Sequence, residues 1–222
     1  MTDWPASGAK RYRAAVQAAD LLRISTLFGD SGRPGQRLGR RKISSIADLI
    51  VADGVIGGIA SALLGPAVRP VRALLLDKSD EVNWRLGWHQ DRVIVVKGRL
   101  DVPGFGPWTI KDGQLHVQPP ESVLRKMLTI RVHVDAVDTL NAPLQVLSGS
   151  HDLGWMTELQ IDVLAKAHEP MTCVADAGDI WAYSTHVVHS SAEKMRPGHR
   201  RVLQLDYSAE NLPGGLEWAA LG

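Results

Sequence analysis

From Val68 to the C-terminus the apolar residues recur with a period of two, and no other feature constrains the fold as much. VRALLLDK, WRLGWHQDRVIVVK, MLTIRVHVDAV, PLQVLSG, MTCVADAG, DIWAYSTHVVH and RRVLQLDYSA each read as a short strand bounded by turn residues. Successive side chains of a strand point to opposite faces, so each segment can bury one face only against another layer. A series of such strands behind a helical N-terminal third predicts two β-sheets with helices packed outside. The chain reads as one domain over 1–222, with a helical layer at 1–67 and a β core at 68–222. Its length suits a single β-sandwich or barrel.

In the N-terminal third, Ala9 to Ile24 carries apolar residues at helical spacing. A second helix is expected to begin near Ser44 or Ser45, with Ser45 and Asp48 as a weak capping box, and to stop at Gly65-Pro66. Between them lies a polar loop with Arg33, Arg37, Arg40, Arg41 and Lys42 and no acid among them. It reads as a solvated loop, the alternative being a docking site for an acidic substrate or carrier. Glu158 to His168 reads as a short helix. Asp101 to Pro120, with four prolines and three glycines, reads as a long ordered loop of the kind that forms lids.

Composition narrows the function classes. The net charge of +1 gives no support for nucleic-acid binding, and the hydrophobic and charged fractions of 45% and 22% are ordinary for a globular protein. Cys173 is the single cysteine, so no internal disulfide can form, which fits a reducing compartment. The polar N-terminus has no secretory pattern. The longest uncharged run, Gly54 to Val68, contains four glycines and is shorter than the ~20 apolar residues of a spanning helix. The expectation is a cytoplasmic protein with a small-molecule substrate and no membrane or nucleic-acid partner.

The local signal with chemical content is Trp88-His89-Gln90-Asp91. On a strand, His89 and Asp91 present an imidazole and a carboxylate on one face, a ligand pair suited to a divalent metal. A further histidine would complete the two-histidine, one-carboxylate set that leaves positions open on Fe(II). Alone, His-x-Asp is common by chance. The strand opened by Gly178-Asp179 offers His186 and His189, which on a regular strand face opposite sides, so only one can look at a metal. Downstream, Arg200, Val202, Gln204 and Asp206 alternate with Arg201, Leu203, Leu205 and Tyr207. With the leucine side against the helices, Arg200 faces the interior, where a buried guanidinium needs an anion.

WHQD at 88–91, NAPLQVLSGSHDLG at 141–154 and GDIWAYSTHVVHSS at 178–191 followed by RRVLQLDYSAENLPGGLEW resemble, in order, the phytanoyl-CoA dioxygenase family of Fe(II)/2-oxoglutarate oxygenases. The resemblance covers about the C-terminal two-thirds; Ala142 and Ser148 stand where the family has Gly and Pro. It implies a double-stranded β-helix, or jelly roll. It also implies iron on His89, Asp91 and His189, with 2-oxoglutarate on Arg200 and O2 as oxidant, and so chooses His189 over His186. The halogenases of the superfamily lack the carboxylate ligand, so Asp91 favours hydroxylation or another oxidation. Arg131, which shares a strand face with Thr129, His133 and Asp135, is a second candidate for 2-oxoglutarate or substrate, and His133 is expected as a structural hydrogen bonder. Substrate contacts are expected from Asn83, Trp84, Phe105 and Trp108. The rival readings are a cupin-type metalloenzyme without 2-oxoglutarate and a non-catalytic jelly-roll binding protein.

Overall fold

The computed structural model describes residues 4–29, 35–219 and 221. Its strands, in chain order, are β1 (Ala9–Tyr12), β2 (Gln36–Arg37), β3 (Arg69–Lys78), β4 (Leu86–His89), β5 (Ile94–Val96), β6 (Trp108–Lys111), β7 (Gln114–Val117), β8 (Met127–His133), β9 (Leu144–Val146), β10 (Met171–Cys173), β11 (Ile180–Ser184), β12 (His189–Ser191) and β13 (Arg200–Ser208). The helices are α1 (Ala18–Ser25), α2 (Arg40–Ile43), α3 (Ala47–Ile50), α4 (Gly57–Leu64), α5 (Glu121–Leu124) and α6 (Glu158–Ala167).

Two antiparallel sheets form the body. The major sheet has the order β1-β11-β8-β13-β3-β2 and the minor sheet β10-β9-β12-β4. From β8 onward the chain passes repeatedly between them, which is the double-stranded β-helix connectivity. The alternation of β13 decides which face is which. Leu203, Leu205 and Tyr207 bury outward with Ala73 and Leu75 against Ile24, Ile43, Ile46 and Ile56 of the helical layer. The Tyr207 hydroxyl donates to the Ile50 carbonyl at 3.0 Å, tying sheet to helices. Arg200, Gln204 and Asp206 are left buried on the inner face.

Four expectations need correction. Ala9 to Ile24 is not one helix: β1 pairs with the edge of β11, and α1 starts only at Ala18. The open sheet edge supplies backbone partners that override helical spacing. The N-terminal layer is therefore not purely helical, since β1 and β2 are strands of the major sheet. The second predicted helix is a 3-10 turn followed by α3 and α4, reversing at 51–56. A Cβ on Gly54 would meet the carbonyls of Asp48 and Leu49, so the glycine permits the reversal. Ser45 makes no capping box; its hydroxyl donates to the Lys42 carbonyl, while Asp48 pairs with Arg23 of α1 at 2.6 Å.

The third correction concerns 101–120, where β6 and β7 form a hairpin across Asp112-Gly113, both at positive φ, and β5 completes a three-stranded sheet. Asp-Gly is a favoured two-residue hairpin turn. Fourth, the segment from Gly178 to His189 is two strands in different sheets, separated by 185–188. The helix expected at Glu158 to His168 is α6, with a Thr157–Gln160 capping box. No helix among the described residues is long and apolar enough to cross a membrane.

Candidate metal centre

His89 ends β4 and His189 begins β12, and the two are direct cross-strand partners. Their ring centroids lie 4.2 Å apart. Asp91 follows just beyond the end of β4. One ligand atom from each of His89, Asp91 and His189 lies within 4.8 Å of the other two. Each histidine places Nδ1 on a backbone carbonyl, His89 on Gly87 at 2.8 Å and His189 on Val187 at 2.9 Å. A carbonyl only accepts, so Nδ1 carries the proton and Nε2 keeps its lone pair. Burial, with His89 beside it, pushes His189 down to about 3. The ring is therefore neutral and ready to donate to a metal. The donor set of two imidazole nitrogens and one carboxylate oxygen fits Fe(II).

Gln90, between the two candidate ligands of the motif, faces the other way and fixes the loop. Its amide donates to the carbonyls of Gly154 at 2.9 Å and His186 at 3.0 Å and accepts from the Met156 N–H at 3.0 Å. His186 is buried away from the cluster, with Nε2 on the His151 carbonyl at 2.7 Å. The two histidines are separated by the turn between β11 and β12, not by opposite faces of one strand.

Strand register lays the inner face of the major sheet out in rows. Tyr183, Thr129, Asp206 and Arg72 form one row. Arg72 holds Asp206 at 2.5 Å and Asp91 at 3.3 Å, and Thr129 donates to Asp206 at 2.9 Å. Burial alone would raise the Asp91 carboxyl, but Arg72, His189 and His89 together hold it below the usual range. Burial wins at Asp206, which is raised in spite of Arg72. The next row contains Trp181, Arg131, Gln204 and Leu74, with Arg131 Nε donating to Gln204 at 3.0 Å. The Arg131 guanidinium stands 5.8 Å from the Tyr183 ring centroid, and that ring in turn lies 5.7 Å from His189.

Farther along, His133 sits opposite Val202, and Lys78 opposite Arg200. Arg200 is 3% exposed and its Nε has no partner among the described residues. Both ring nitrogens of His133 also lack partners, so its expected hydrogen-bonding role is not what the structure shows. Burial, then Arg200 and Arg131, push His133 down to about 3.

Asn83 brackets Lys194, donating to its carbonyl at 3.0 Å and accepting from its N–H at 2.9 Å, so its amide is committed to the fold. Trp84 lies beside Lys78, whose Nζ is 5.1 Å from the ring centroid. Phe105 and Trp108 pack against the apolar cluster of Ile94, Val96, Val117 and Trp218. They anchor the small sheet. Arg37 of the basic stretch pairs with Asp112 at the hairpin tip, Arg41 and Lys42 are exposed, and Arg33 lies outside the described residues. Burial pushes the Cys173 thiol up to about 12, leaving it an inert packing residue.

Arg72, Lys78 and Tyr183 were not expected at the site. The signal for the first two is the alternation in RPVRALLLDK, where Arg72, Leu74, Leu76 and Lys78 share a face opposite Ala73 and Leu75. A charge near each end of an apolar run looks like a solvated flank until the register shows both ends to be buried.

No family model matches the chain, and no curated protein does. Solved structures do. HygX from Streptomyces hygroscopicus, with nickel and 2-oxoglutarate bound, aligns over 91% of this chain and 83% of its own at 12% identity and TM-score 0.62. It has also been solved with hygromycin B. EctD from S. alaskensis aligns over 93% and 75% at 17% identity and TM-score 0.66. SnoN, the non-heme alpha-ketoglutarate-dependent epimerase from nogalamycin biosynthesis, aligns over 100% and 93% at 14% identity and TM-score 0.65. At these identities the similarity establishes the fold.

Proposed function

We propose that the chain is a non-haem Fe(II), 2-oxoglutarate-dependent oxygenase of the phytanoyl-CoA dioxygenase-like kind, hydroxylating a small molecule. The observation that carries the reading is the His89–Asp91–His189 cluster together with a buried Arg200 on the inner face of the major sheet whose Nε has no partner among the described residues. HygX, solved with 2-oxoglutarate bound, and SnoN, an alpha-ketoglutarate-dependent epimerase, share the fold.

His89 and His189 would hold the metal through Nε2, and Asp91 through a carboxylate oxygen. When bound, iron with 2-oxoglutarate and O2 supplies the oxidation: one oxygen atom goes to the substrate and one to succinate, with release of CO2. The residues of the chain prepare that chemistry. The carbonyls of Gly87 and Val187 keep both imidazoles in the ligand tautomer. Arg72 keeps Asp91 ionised and neutralises part of its charge. Gln90 fixes the backbone between the two ligands of the motif. Arg200 would take the distal carboxylate of the co-substrate, a charge-assisted contact. Arg131, held by Gln204, adds positive potential to the same interior. Tyr183 walls the cluster beside His189 and keeps water away from it.

The test is co-substrate turnover. Purified protein with Fe(II), ascorbate and O2 is expected to convert 2-oxoglutarate to succinate, slowly without the prime substrate and faster with it. Iron binding without 2-oxoglutarate consumption would favour a cupin-type metalloenzyme. Ligand binding without metal would favour a non-catalytic jelly roll.

A further inference from the structure

Tyr183 lies on β11 opposite Thr129 of β8, at the end of the row that continues through Asp206 to Arg72. It is 0% exposed, and its hydroxyl has no hydrogen-bond partner among the described residues. The rest of the row is bonded. Thr129 and Thr185 share a hydrogen bond, Thr129 donates to Asp206, and Arg72 pairs with Asp206 and Asp91. The other fully buried phenol, Tyr207 on the outer face, donates to the Ile50 carbonyl at 3.0 Å. A buried hydroxyl that bonds nothing has given up its water without return. Phenylalanine would fill the same space without that cost.

The unpaired hydroxyl belongs to a side chain at the candidate metal centre. The Tyr183 ring packs with Leu144 and Val146 of β9 in the minor sheet, and Val146 is a cross-strand partner of His189. The ring centroid is 5.7 Å from that of His189, and the Arg131 guanidinium stands 5.8 Å from it. The row therefore adjoins the metal cluster at both ends, through Arg72 on Asp91 and through Tyr183 beside His189. Two histidines and one carboxylate leave the remaining positions of the metal to ligands that are not protein.

We propose that the Tyr183 hydroxyl donates a hydrogen bond to an oxygen atom of the 2-oxoacid head group on the metal, and so orients the co-substrate at its reacting end. The inference rests on the oxygenase reading. Burial raises the phenol, with Asp91 and Asp206 adding to the effect and Arg131 and Arg72 opposing it, so the hydroxyl keeps its proton and can donate. The keto and carboxylate oxygens of a 2-oxoacid are acceptors, and a bond to the carboxylate is charge-assisted. One substitution should then have effects of opposite sign. In the ligand-free protein the hydroxyl is a cost, and in the complex it is a contact.

The experiment uses Tyr183→Phe, which removes one oxygen atom and keeps the ring. Urea unfolding of the ligand-free variant is expected to show a midpoint equal to or above that of the wild type. Iron content should be unchanged. Calorimetric titration of 2-oxoglutarate into the anaerobic Fe(II)-loaded variant should show binding weakened about three- to ten-fold, and the visible absorption of the chelate should shift in wavelength. Wild-type affinity with an unshifted absorption would overturn the proposal. A lowered urea midpoint without ligand would also overturn it, by marking the hydroxyl as bonded within the fold. No 2-oxoglutarate binding by the Fe(II)-loaded wild type would overturn the oxygenase reading itself.

Discussion

The inner face of the major sheet has two charged ends built on opposite terms. At one end Arg72 sits between Asp206 and Asp91, with Thr129 on the far oxygen of Asp206, so charge is matched within the protein. At the other, Lys78 and Arg200 face each other with Arg131 and His133 nearby and no carboxylate in contact among the described residues. Both ends are buried, so both carry a desolvation cost, but only the first has a carboxylate in direct contact; at the second, Lys78 bonds Ser191 and the Ala192 carbonyl and stands by the Trp84 ring, and Asp77 and Asp135 act on Arg200 from farther off. The matched end holds Asp91, the proposed metal ligand, in place. At the other end the proposed co-substrate carboxylate on Arg200 would relieve the repulsion.

The largest expected effect is at the metal. Asp91→Ala should reduce iron content and 2-oxoglutarate turnover to background, as read by metal analysis and succinate formation. Retained activity would remove Asp91 from the ligand set. Next comes the contrast in stability. Asp206→Asn leaves Arg72 short of its buried partner and should cost about 3 kcal/mol in urea unfolding. Lys78→Met, by removing a buried charge with no carboxylate in contact, should leave the midpoint of the ligand-free protein unchanged or raise it. Equal losses in both variants would erase the distinction between the two ends.

Arg200→Gln should raise the 2-oxoglutarate requirement about ten- to a hundred-fold while iron stays bound. The pH dependence of ligand-free stability sharpens the same point. Lys78 is lowered from 10.5 to about 7 in the folded protein. As pH falls through that window, the unfolded chain gains a proton that the folded chain does not. The contribution of Lys78 to stability is thus present above 10.5, declines as pH falls, and is absent below about 7. The wild type should therefore gain more stability than Lys78→Met as pH rises from 7 toward 10. The smallest effect is expected at His186→Ala, which loses the bond to the His151 carbonyl, about 1 kcal/mol, and keeps its metal, whereas His189→Ala should not.

Much of this architecture is legible in the chain because strand alternation is a local property. The face of Arg200, the outward leucines of β13 and the placement of α6 follow from period and caps alone. The break inside Gly178 to His189 is not legible that way, because Ser184 to Val188 continues an apolar and polar mixture without a Gly or Pro to mark the turn. The β1 segment failed for a complementary reason: its strand state depends on the edge of β11, 168 residues away in sequence by the Arg11–Asp179 contact. The grouping of His89, Asp91 and His189 is legible through motif order, and the structure brings the three side chains together. Arg72 and Lys78 were hidden because what defines them is cross-sheet contact, to Asp91 in one case and Ser191 in the other.

The central claim is that one interior holds Fe(II) on His89, Asp91 and His189 and 2-oxoglutarate on Arg200. Anaerobic titration of the protein with Fe(II) and then 2-oxoglutarate tests it most directly. The account predicts a weak visible charge-transfer absorption that develops only when both are present, saturates at one equivalent per chain, and is lost in Asp91→Ala. Iron that binds tightly while 2-oxoglutarate produces no absorption and no heat of binding would contradict it.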